Sequence, residues 1–282
     1  IHLTSRPSTT QKRTFENKLP PHLAILKKIT KEVSVYGSIA RGFSPPTTSE
    51  MLRSDGLFGK NLQPQDGMDY EAGARGFLLH NKLYFDVNVF FFDLKNTIVQ
   101  RIDTNGVFYY VNAGSTKQNG IETYVSYLLA DNPHKFISTA RIWISYAWHD
   151  FHYGSFKQVS TDFSGKKLPG AAPQVIVAGF EIASKTGCYM NITYNYTDPI
   201  ALNDANSFFA SSYNLMSSRL GYKKDFHGKI KVEFFAGADN LFNTKYSLGN
   251  DINAAAGRYY NAAAVRNYYF GLALQLTKAQ NK

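Results

Sequence analysis

The sequence has a single cysteine, Cys188, among its 282 residues. One thiol excludes a disulfide within the chain and a cysteine-based metal site, so the sequence leaves the redox compartment open. No run of about 18 apolar residues occurs, and we therefore predict no membrane-spanning helix. The chain opens on Ile1-His2-Leu3-Thr4, without Met or the apolar core of a signal peptide. We expect either that processing has removed such a peptide or that the chain is a fragment.

Acidic residues are in the minority, with 21 Asp and Glu against 31 Lys and Arg, which gives a formal net charge of +10. A positive net charge of this size could favour binding to nucleic acid or to an anionic surface. The basic residues are scattered, however, and the densest group, Lys27, Lys28 and Lys31, falls at a predicted turn. Without an arginine-rich arm or a basic helix, this charge is typical of a solvated rim, and we predict no nucleic-acid partner.

Aromatic residues are abundant: 19 Tyr, 21 Phe and 2 Trp make up 15% of the chain. Flat side chains pack well on the pleated surface of a β-sheet. Tyr and Trp also favour membrane interfaces, where one end of the side chain is apolar and the other is hydrated. The composition therefore favours an all-β protein and is compatible with a membrane.

Two-residue alternation is the main structural signal. In the last segment, every second residue is large and apolar, namely Tyr268, Phe270, Leu272, Leu274 and Leu276. The residues between them are mostly smaller or more polar, which predicts a β-strand with two different environments. The same alternation occurs at 83–91, 140–148, 188–197 and 230–238.

Eleven strands and no helix are predicted along the chain. Their expected ranges are 22–28, 33–42, 68–79, 82–102, 107–130, 135–149, 173–184, 187–198, 212–224, 228–238 and 264–277. The segment at 107–130 is irregular, and we expect a bulge near Gly114 or Gly120. Short connections alternate with long ones, which lie at 43–67, 151–172, 198–211 and 246–263. The turn Asp103–Gly106 belongs to the same end of the strands as the long connections and is the shortest of them.

This layout predicts an antiparallel transmembrane β-barrel, in which short turns face the periplasm and long loops face outside. A soluble β-sandwich would also alternate, but its strands are usually about 5–6 residues long and its outer face is charged. Eleven is an odd number, whereas single-chain bacterial barrels have even numbers of strands. Since an open edge cannot face lipid, we expect half of a barrel of about 22 strands.

Six motifs in order resemble the TonB-dependent outer-membrane receptor family. They are SVYGSIARGFSPPT at 34–47, LQPQ at 62–65 with YEAG at 70–73, GIE at 120–122, LPGAAP at 168–173, ADNLFNTKY at 238–246 and YYFGL at 268–272. The fifth is the most specific of the set. Together they cover residues 33–276, so the resemblance extends over nearly the whole chain.

The resemblance implies a 22-strand barrel in the bacterial outer membrane, closed by an N-terminal plug that couples through a TonB box to an energy source in the inner membrane. It also implies uptake of a scarce nutrient, with a ferric siderophore or another iron complex as the expected ligand. We assign 1–21 to the end of an extracellular loop or a strand remnant, 22–277 to the C-terminal half of the barrel, and 278–282 to a tail. Neither plug nor TonB box is recognised in the chain, so we do not expect this chain alone to transport. Family barrels commonly end on an aromatic residue, and the tail departs from that pattern.

Candidate ligand contacts are expected on the extracellular side or in the lumen, because Arg beside aromatic rings suits an anionic, planar ligand. They are Arg53, Arg101, Tyr109, Trp148, His149, His152, Arg258, Tyr259 and Tyr260. An interfacial aromatic belt would explain the same aromatic residues. His149 and His152 have the nearest spacing to a metal pair, but a third ligand is not obvious, and we predict neither a metal nor a cofactor.

Other polar residues have structural explanations. Asn240 can hydrogen-bond its own backbone where a strand leaves the membrane. Charged residues on the predicted lumen face are expected to pair across the lumen or to touch the plug; they include Arg141, Glu181, Arg219 and Glu233.

Two other function classes remain open at this level. A barrel enzyme would need a Ser/His or Asp/His set at the rim. His149 and Asp150 are available, but neighbours in a strand point to opposite faces. A passive porin or an adhesin is the other alternative, and the order of the motifs disfavours it. We therefore predict a transport receptor rather than an enzyme, while ligand specificity lies in the variable loops.

Overall fold

The computed structural model describes residues 19–59, 61–158, 161–226 and 230–276. They form one antiparallel sheet of eleven strands, each paired with its neighbours in sequence. Labelled β1–β11 in chain order, the strands are His22–Lys28, Val33–Ser44, Gln65–Leu78, Leu83–Lys95, Ser115–Asp131, Ile137–Tyr153, Gln174–Ser184, Cys188–Thr197, Tyr213–Phe226, Ile230–Asp239 and Asn267–Leu276. The predicted all-β fold with eleven strands is confirmed. The predicted tail and most of the predicted segment 1–21 lie outside the described residues.

The predictions of single strands at 82–102 and 107–130 are wrong. β4 ends at Lys95 and β5 begins at Ser115, and between them the chain forms a separate hairpin of Ile98–Ile102 with Phe108–Asn112. Asn96 and Gly114 both have positive φ angles, 56° and 65°, at the base of this hairpin. Such backbone leaves the extended region that a ladder requires, so the large sheet stops there and the turn at 103–106 stands beyond it.

The predicted bulge is only partly correct. Near Gly114 the strand is interrupted rather than bulged, and Gly120 lies in regular register opposite Phe90 and His149. The register shift between β5 and β6 falls instead between Leu128 and Ala130.

Short elements occupy the long connections. The prediction of no helix is wrong, because a short α-helix, α1, forms at Thr48–Met51 and a 3-10 helix forms at Ala255–Gly257. Thr47 and Glu50 form a capping box at the start of α1. Two-stranded ribbons complete the set, pairing Lys157–Gln158 with Thr161–Asp162, Ile200–Ala201 with Phe209–Ala210, and Ser247–Asn250 with Tyr260–Ala262. None of the described helices is of a length and hydropathy that would let it cross a membrane.

The register places the apolar residues of successive strands on one face. Phe234 of β10 lies opposite Leu272 of β11, and Val232 lies opposite Leu274. On this face Phe270 is 90% exposed. A continuous exposed apolar band would be a liability in water, but it is the surface that a barrel presents to lipid.

The opposite, lumen-facing side carries glycines that are covered by aromatic rings. In each case the ring belongs to the residue paired directly across the strand boundary, and a Cβ atom on the glycine would collide with it. The pairs are Gly73 with Tyr36, Gly120 with Phe90, Gly179 with Trp143, Gly221 with Tyr189, Gly237 with Tyr269, and Gly271 with Phe235. The rings thereby shield bare backbone on the concave side of the sheet.

Connections at one end of the sheet are short and those at the other end are long, as predicted. We refer to 45–64, 96–114, 154–173, 198–212 and 240–266 as the extracellular loops. Within the described residues, β1 and β11 lie at opposite edges of the sheet and do not pair with each other. Unpaired strand edges have no hydrogen-bond partner in lipid, so a membrane barrel requires further strands between them.

Candidate functional site

The extracellular loops are joined by a buried ion pair. Arg101, in the hairpin at 98–112, and Asp204, in the loop at 198–212, approach to 2.7 Å, and each side chain is 5% exposed. The Tyr153 hydroxyl donates to Asp204 at 2.5 Å, and the Asn253 amide donates to it at 3.2 Å. The Arg101 guanidinium also lies 5.2 Å from the ring centre of Phe156. Four segments of the chain therefore meet at one carboxylate.

Two apolar clusters support this network from either side. The first has Ala113, Tyr153 and Phe156 at its centre, and the second has Leu202, Ala210 and Tyr259. Whereas the sheet exposes its apolar face, these clusters are buried cores formed by the extracellular loops. The loops are consequently packed against one another, and their mutual positions are set by side-chain contacts.

A short ribbon at the edge of the first cluster presents Asp162 to solvent. The amide of Ser164 donates to its carboxylate at 2.9 Å. Hydrogen bonds from the side chain and backbone of Ser164 hold the pKa of Asp162 below its ordinary value. This carboxylate therefore stays charged in mildly acidic medium, next to Lys157 at 3.6 Å.

A cleft of about 560 Å³ opens between the loops at 198–212 and 240–266. Its lining includes Lys245 and the three tyrosines Tyr213, Tyr246 and Tyr260. The ring centres of Tyr213 and Tyr246 are 5.0 Å apart and their planes are tilted by 33°, while Tyr260 is exposed.

The cleft also holds an unsatisfied acceptor. The Oδ1 atom of Asn250 is buried and has no hydrogen-bond partner among the described residues. A buried polar atom without a partner is costly, and a rotation of the Asn250 side chain toward the cleft would let a donor group of a ligand satisfy it. A cation, aromatic faces and a free acceptor therefore converge in one extracellular cleft.

Sequence reasoning named Tyr260 in this cleft but missed Lys245, Tyr213, Tyr246 and Asn250. Lys245 and Tyr246 lie within the motif at 238–246, where Asn240 anchors the turn. Asn240 donates to the Thr244 carbonyl at 2.8 Å and accepts from the Thr244 amide at 2.8 Å. The turn anchored by Asn240 is the sequence signal that could have pointed to Lys245 and Tyr246, the last two residues of this motif.

Arg53 and Tyr109, both predicted ligand contacts, do come together. The Arg53 guanidinium lies 5.4 Å from the Tyr109 ring centre and pairs with Asp55 at 3.1 Å and with Asp103 at 3.7 Å. The two residues line a second, smaller cleft of about 240 Å³. Because two carboxylates already accompany Arg53, its charge is less available to an anion than that of Lys245.

Trp148, His149 and His152 do not converge on one site. Trp148 is on the lipid-facing side of β6 and is 38% exposed, and His149 is on the lumen side. The His149 Nδ1 atom lies 3.0 Å from the Ala172 carbonyl, and its ring is 4.8 Å from that of Phe151. His152 pairs with Asp150 at 3.1 Å on the other face. In the part of the chain that the structure describes, no group of three potential ligands is arranged to hold a metal ion.

The remaining predicted contacts have different environments. Arg101 is occupied by Asp204, as described above. Tyr259 is 7% exposed in the second apolar cluster, with its ring 5.6 Å from Phe208. Arg258 and Tyr260 are exposed beside it.

The lumen side of the sheet carries two polar clusters toward the periplasmic end. Arg219 pairs with Glu233 at 2.7 Å, lies 3.7 Å from the Phe235 ring centre and donates to the Tyr189 hydroxyl at 3.1 Å, and that hydroxyl itself donates to Glu233. Arg141 pairs with Glu181 at 2.6 Å, and the Trp143 indole donates to the same carboxylate at 3.1 Å. Both ion pairs join adjacent strands. The expectation that these four residues pair across the lumen is therefore wrong, because each finds its partner along one wall of the sheet.

A protein-family model described as TonB dependent receptor-like, beta-barrel matches residues 4–241. In sequence, the chain is 25% identical over 117 residues to the metal-pseudopaline receptor CntO of Pseudomonas aeruginosa; the match covers 42% of this chain and 15% of that protein. The chain thus spans a small part of that relative.

Solved structures share the fold. The match to the ferric citrate transporter FecA, in its unliganded form, covers 91% of this chain and 38% of the FecA chain. Its TM-score is 0.70 at 18% sequence identity. The match to the copper transporter OprC covers 90% of this chain and 38% of the OprC chain, with a TM-score of 0.68 at 14% identity. The match to BauA, the ferric preacinetobactin receptor of Acinetobacter baumannii, covers 90% of this chain and 36% of the BauA chain. Its TM-score is 0.65 at 18% identity. The chain spans less than two fifths of each of these proteins.

Proposed function

Because the chain belongs to the TonB-dependent receptor-like β-barrel family, we propose that it forms the C-terminal half of a receptor that takes up an anionic iron complex, such as a ferric siderophore. The chain is an outer-membrane protein, as its family and fold relatives are. We propose TonB as the partner that energises uptake, acting on an N-terminal plug.

The observation that carries the ligand class is the extracellular cleft. Lys245 supplies a positive charge, the tyrosines supply flat faces and hydroxyls, and Asn250 offers a buried acceptor. An anionic complex with planar aromatic groups would gain ion pairing, stacking and one hydrogen bond in such a cleft. A neutral, nonpolar ligand would leave both Lys245 and Asn250 without partners.

The comparison proteins support a metal complex as the class of cargo. They are named for ferric citrate, ferric preacinetobactin, copper and metal-pseudopaline. These ligands differ, and the identities are low, so the particular iron complex is chosen by the loops rather than by the barrel.

We assign transport rather than catalysis to the chain. The matching family is a family of receptor barrels, and the solved structures named above are those of transporters and a receptor. The ordered motifs also favour a gated receptor over a passive porin or an adhesin.

The test is uptake of radiolabelled iron by cells that lack the gene and by cells that carry the full-length gene. A panel of ferric siderophores and ferric citrate is offered, with and without a functional TonB. We expect gene-dependent uptake of at least one anionic complex, abolished without TonB. Uptake that persists without TonB would show a passive channel, and no gene-dependent uptake of any complex would overturn the proposed cargo.

A further inference from the structure

Charge is distributed unevenly between the two ends of the sheet. The periplasmic ends of the strands comprise 27–32, 79–82, 131–136, 185–187, 223–226 and 230–233, and we call these segments the periplasmic rim. Within them are nine lysines, namely Lys27, Lys28, Lys31, Lys82, Lys135, Lys185, Lys223, Lys224 and Lys231, against four acidic residues. The described residues of the extracellular loops hold eight Lys and Arg against seven Asp and Glu. The excess positive charge is therefore concentrated at the rim.

Most of these lysines are exposed, and they have no acidic partner in the part of the chain that the structure describes. Among the described residues, no carboxylate lies within 4 Å of the ammonium groups of Lys27, Lys28, Lys31, Lys82, Lys135 or Lys185. Two others have only long pairs, Lys223 with Glu233 at 3.8 Å and Lys231 with Asp225 at 3.9 Å. Exposed pairs of this length contribute little to stability, so the rim is electrostatically free to bind an anion.

Large apolar side chains lie beside the lysines. The Lys82 amide donates to the Leu79 carbonyl at 3.3 Å, and the Lys185 amide donates to the Phe136 carbonyl at 3.0 Å. Leu79 is 61% exposed and Phe136 is 69% exposed. In the last turn, the Lys224 ammonium lies 5.3 Å from the ring centre of exposed Phe226.

This combination fits the boundary between acyl chains and headgroups. The apolar side chains can enter the acyl region while the long lysine stems carry their ammonium groups to the headgroup phosphates. Neighbouring turns are separated by two strands, or about 10 Å, so lysines of adjacent turns can reach one lipid headgroup. A nucleic acid or an acidic protein would use the lysines but not the exposed Leu79 and Phe136.

We propose that the periplasmic rim binds anionic phospholipids, with phosphatidylglycerol of the periplasmic leaflet as the occupant. Each ammonium contributes an attraction to the phosphate, and the apolar side chains fix the depth of the rim. The binding is independent of the transported ligand, because the extracellular cleft lies at the other end of the sheet.

The full-length protein, purified in detergent, is tested by native mass spectrometry with phosphatidylglycerol and with phosphatidylcholine of the same acyl chains. The rim variant is Lys82→Gln, Lys135→Gln and Lys185→Gln combined. The matched control removes three exposed extracellular lysines: Lys157→Gln, Lys166→Gln and Lys167→Gln. We expect the native protein to retain phosphatidylglycerol over phosphatidylcholine, and the rim variant to lose at least about tenfold in that retention, since one lysine near an anionic surface is worth about fivefold.

The control variant should keep the preference. Equal retention of the two lipids by the native protein would overturn the proposal, as would equal losses in the rim and control variants. Folding of each variant is checked by the shift in gel mobility on heating. If the combined rim variant does not fold, the single changes Lys82→Gln and Lys185→Gln replace it, and undiminished phosphatidylglycerol binding in both would overturn the proposal.

Discussion

Arg101 and Asp204 form an ion pair of 2.7 Å that is buried beneath the extracellular loops, with each side chain 5% exposed. Asp204 also accepts hydrogen bonds from Tyr153 and Asn253, so one carboxylate joins segments from several connections. Arg101 was a predicted ligand contact on the strength of its residue type. In the folded chain its guanidinium instead holds the loops together.

Replacing Arg101 with Met should loosen the extracellular loops. The change leaves the Asp204 carboxylate buried without its cation, and loss of one partner of a buried pair costs about 3–5 kcal/mol. We expect faster hydrogen exchange in the backbone of 198–212, measured by mass spectrometry on the full-length protein. Arg258→Met, at an exposed arginine, is the control and should leave exchange unchanged. Unchanged exchange in the Arg101 variant would mean that the apolar clusters alone hold the loops.

Gly237→Val should destabilise the sheet. A side chain at this position collides with the Tyr269 ring, which lies over the glycine. Overpacking of this kind typically costs about 1–3 kcal/mol in the free energy of unfolding. The measurement is the denaturant midpoint of the refolded barrel. Gly42→Val is the matched control, because no atom of the described residues lies within 4 Å of a Cβ at that strand position. Equal midpoints for the two variants would contradict the role given to the ring.

Asn240→Ala should destabilise the turn that presents Lys245 and Tyr246 to the cleft. Asn240 has a positive φ of 51° and exchanges two hydrogen bonds of 2.8 Å with Thr244. We expect a loss of roughly 2–4 kcal/mol in the free energy of unfolding, from the lost bonds and the strained backbone together. Asn240→Gly removes the bonds but accepts the backbone angle, so it should cost less. If Ala and Gly cost the same, backbone strain makes no contribution at this position.

Lys245→Gln should weaken binding of the anionic iron complex that the uptake experiment identifies. Removing one charged partner in a partly enclosed cleft is worth about 1–2 kcal/mol, or roughly tenfold in Kd. The Kd of the full-length variant is measured at low and high salt, and we expect a smaller salt dependence than for the native protein. Lys157→Gln, which removes a lysine from the exposed ribbon by Asp162, should not change Kd. Equal effects of the two substitutions would place the ligand outside the cleft.

The strands could be predicted because their signal is local. A strand places successive side chains on opposite faces, so Phe270, Leu272 and Leu274 reveal their shared face without any knowledge of their neighbours. The long and short connections follow from where that alternation stops. The wrong predictions at 82–102 and 107–130 arose where alternation continues from the sheet into a hairpin. There the positive φ angles of Asn96 and Gly114 decide where the sheet ends.

The sequence by itself therefore determined the number of strands in the large sheet, the alternation of faces along the regular strands, the two ends of the sheet and the family. Only the tertiary structure decided which loop residues are buried, which remain open and which meet. Arg101 and Asp204, or Tyr213 and Tyr246, lie in different connections and carry no shared local pattern. Their contact depends on how the loops pack once the strands beneath them have paired, and that packing is set by long-range burial rather than by the two-residue period of the backbone.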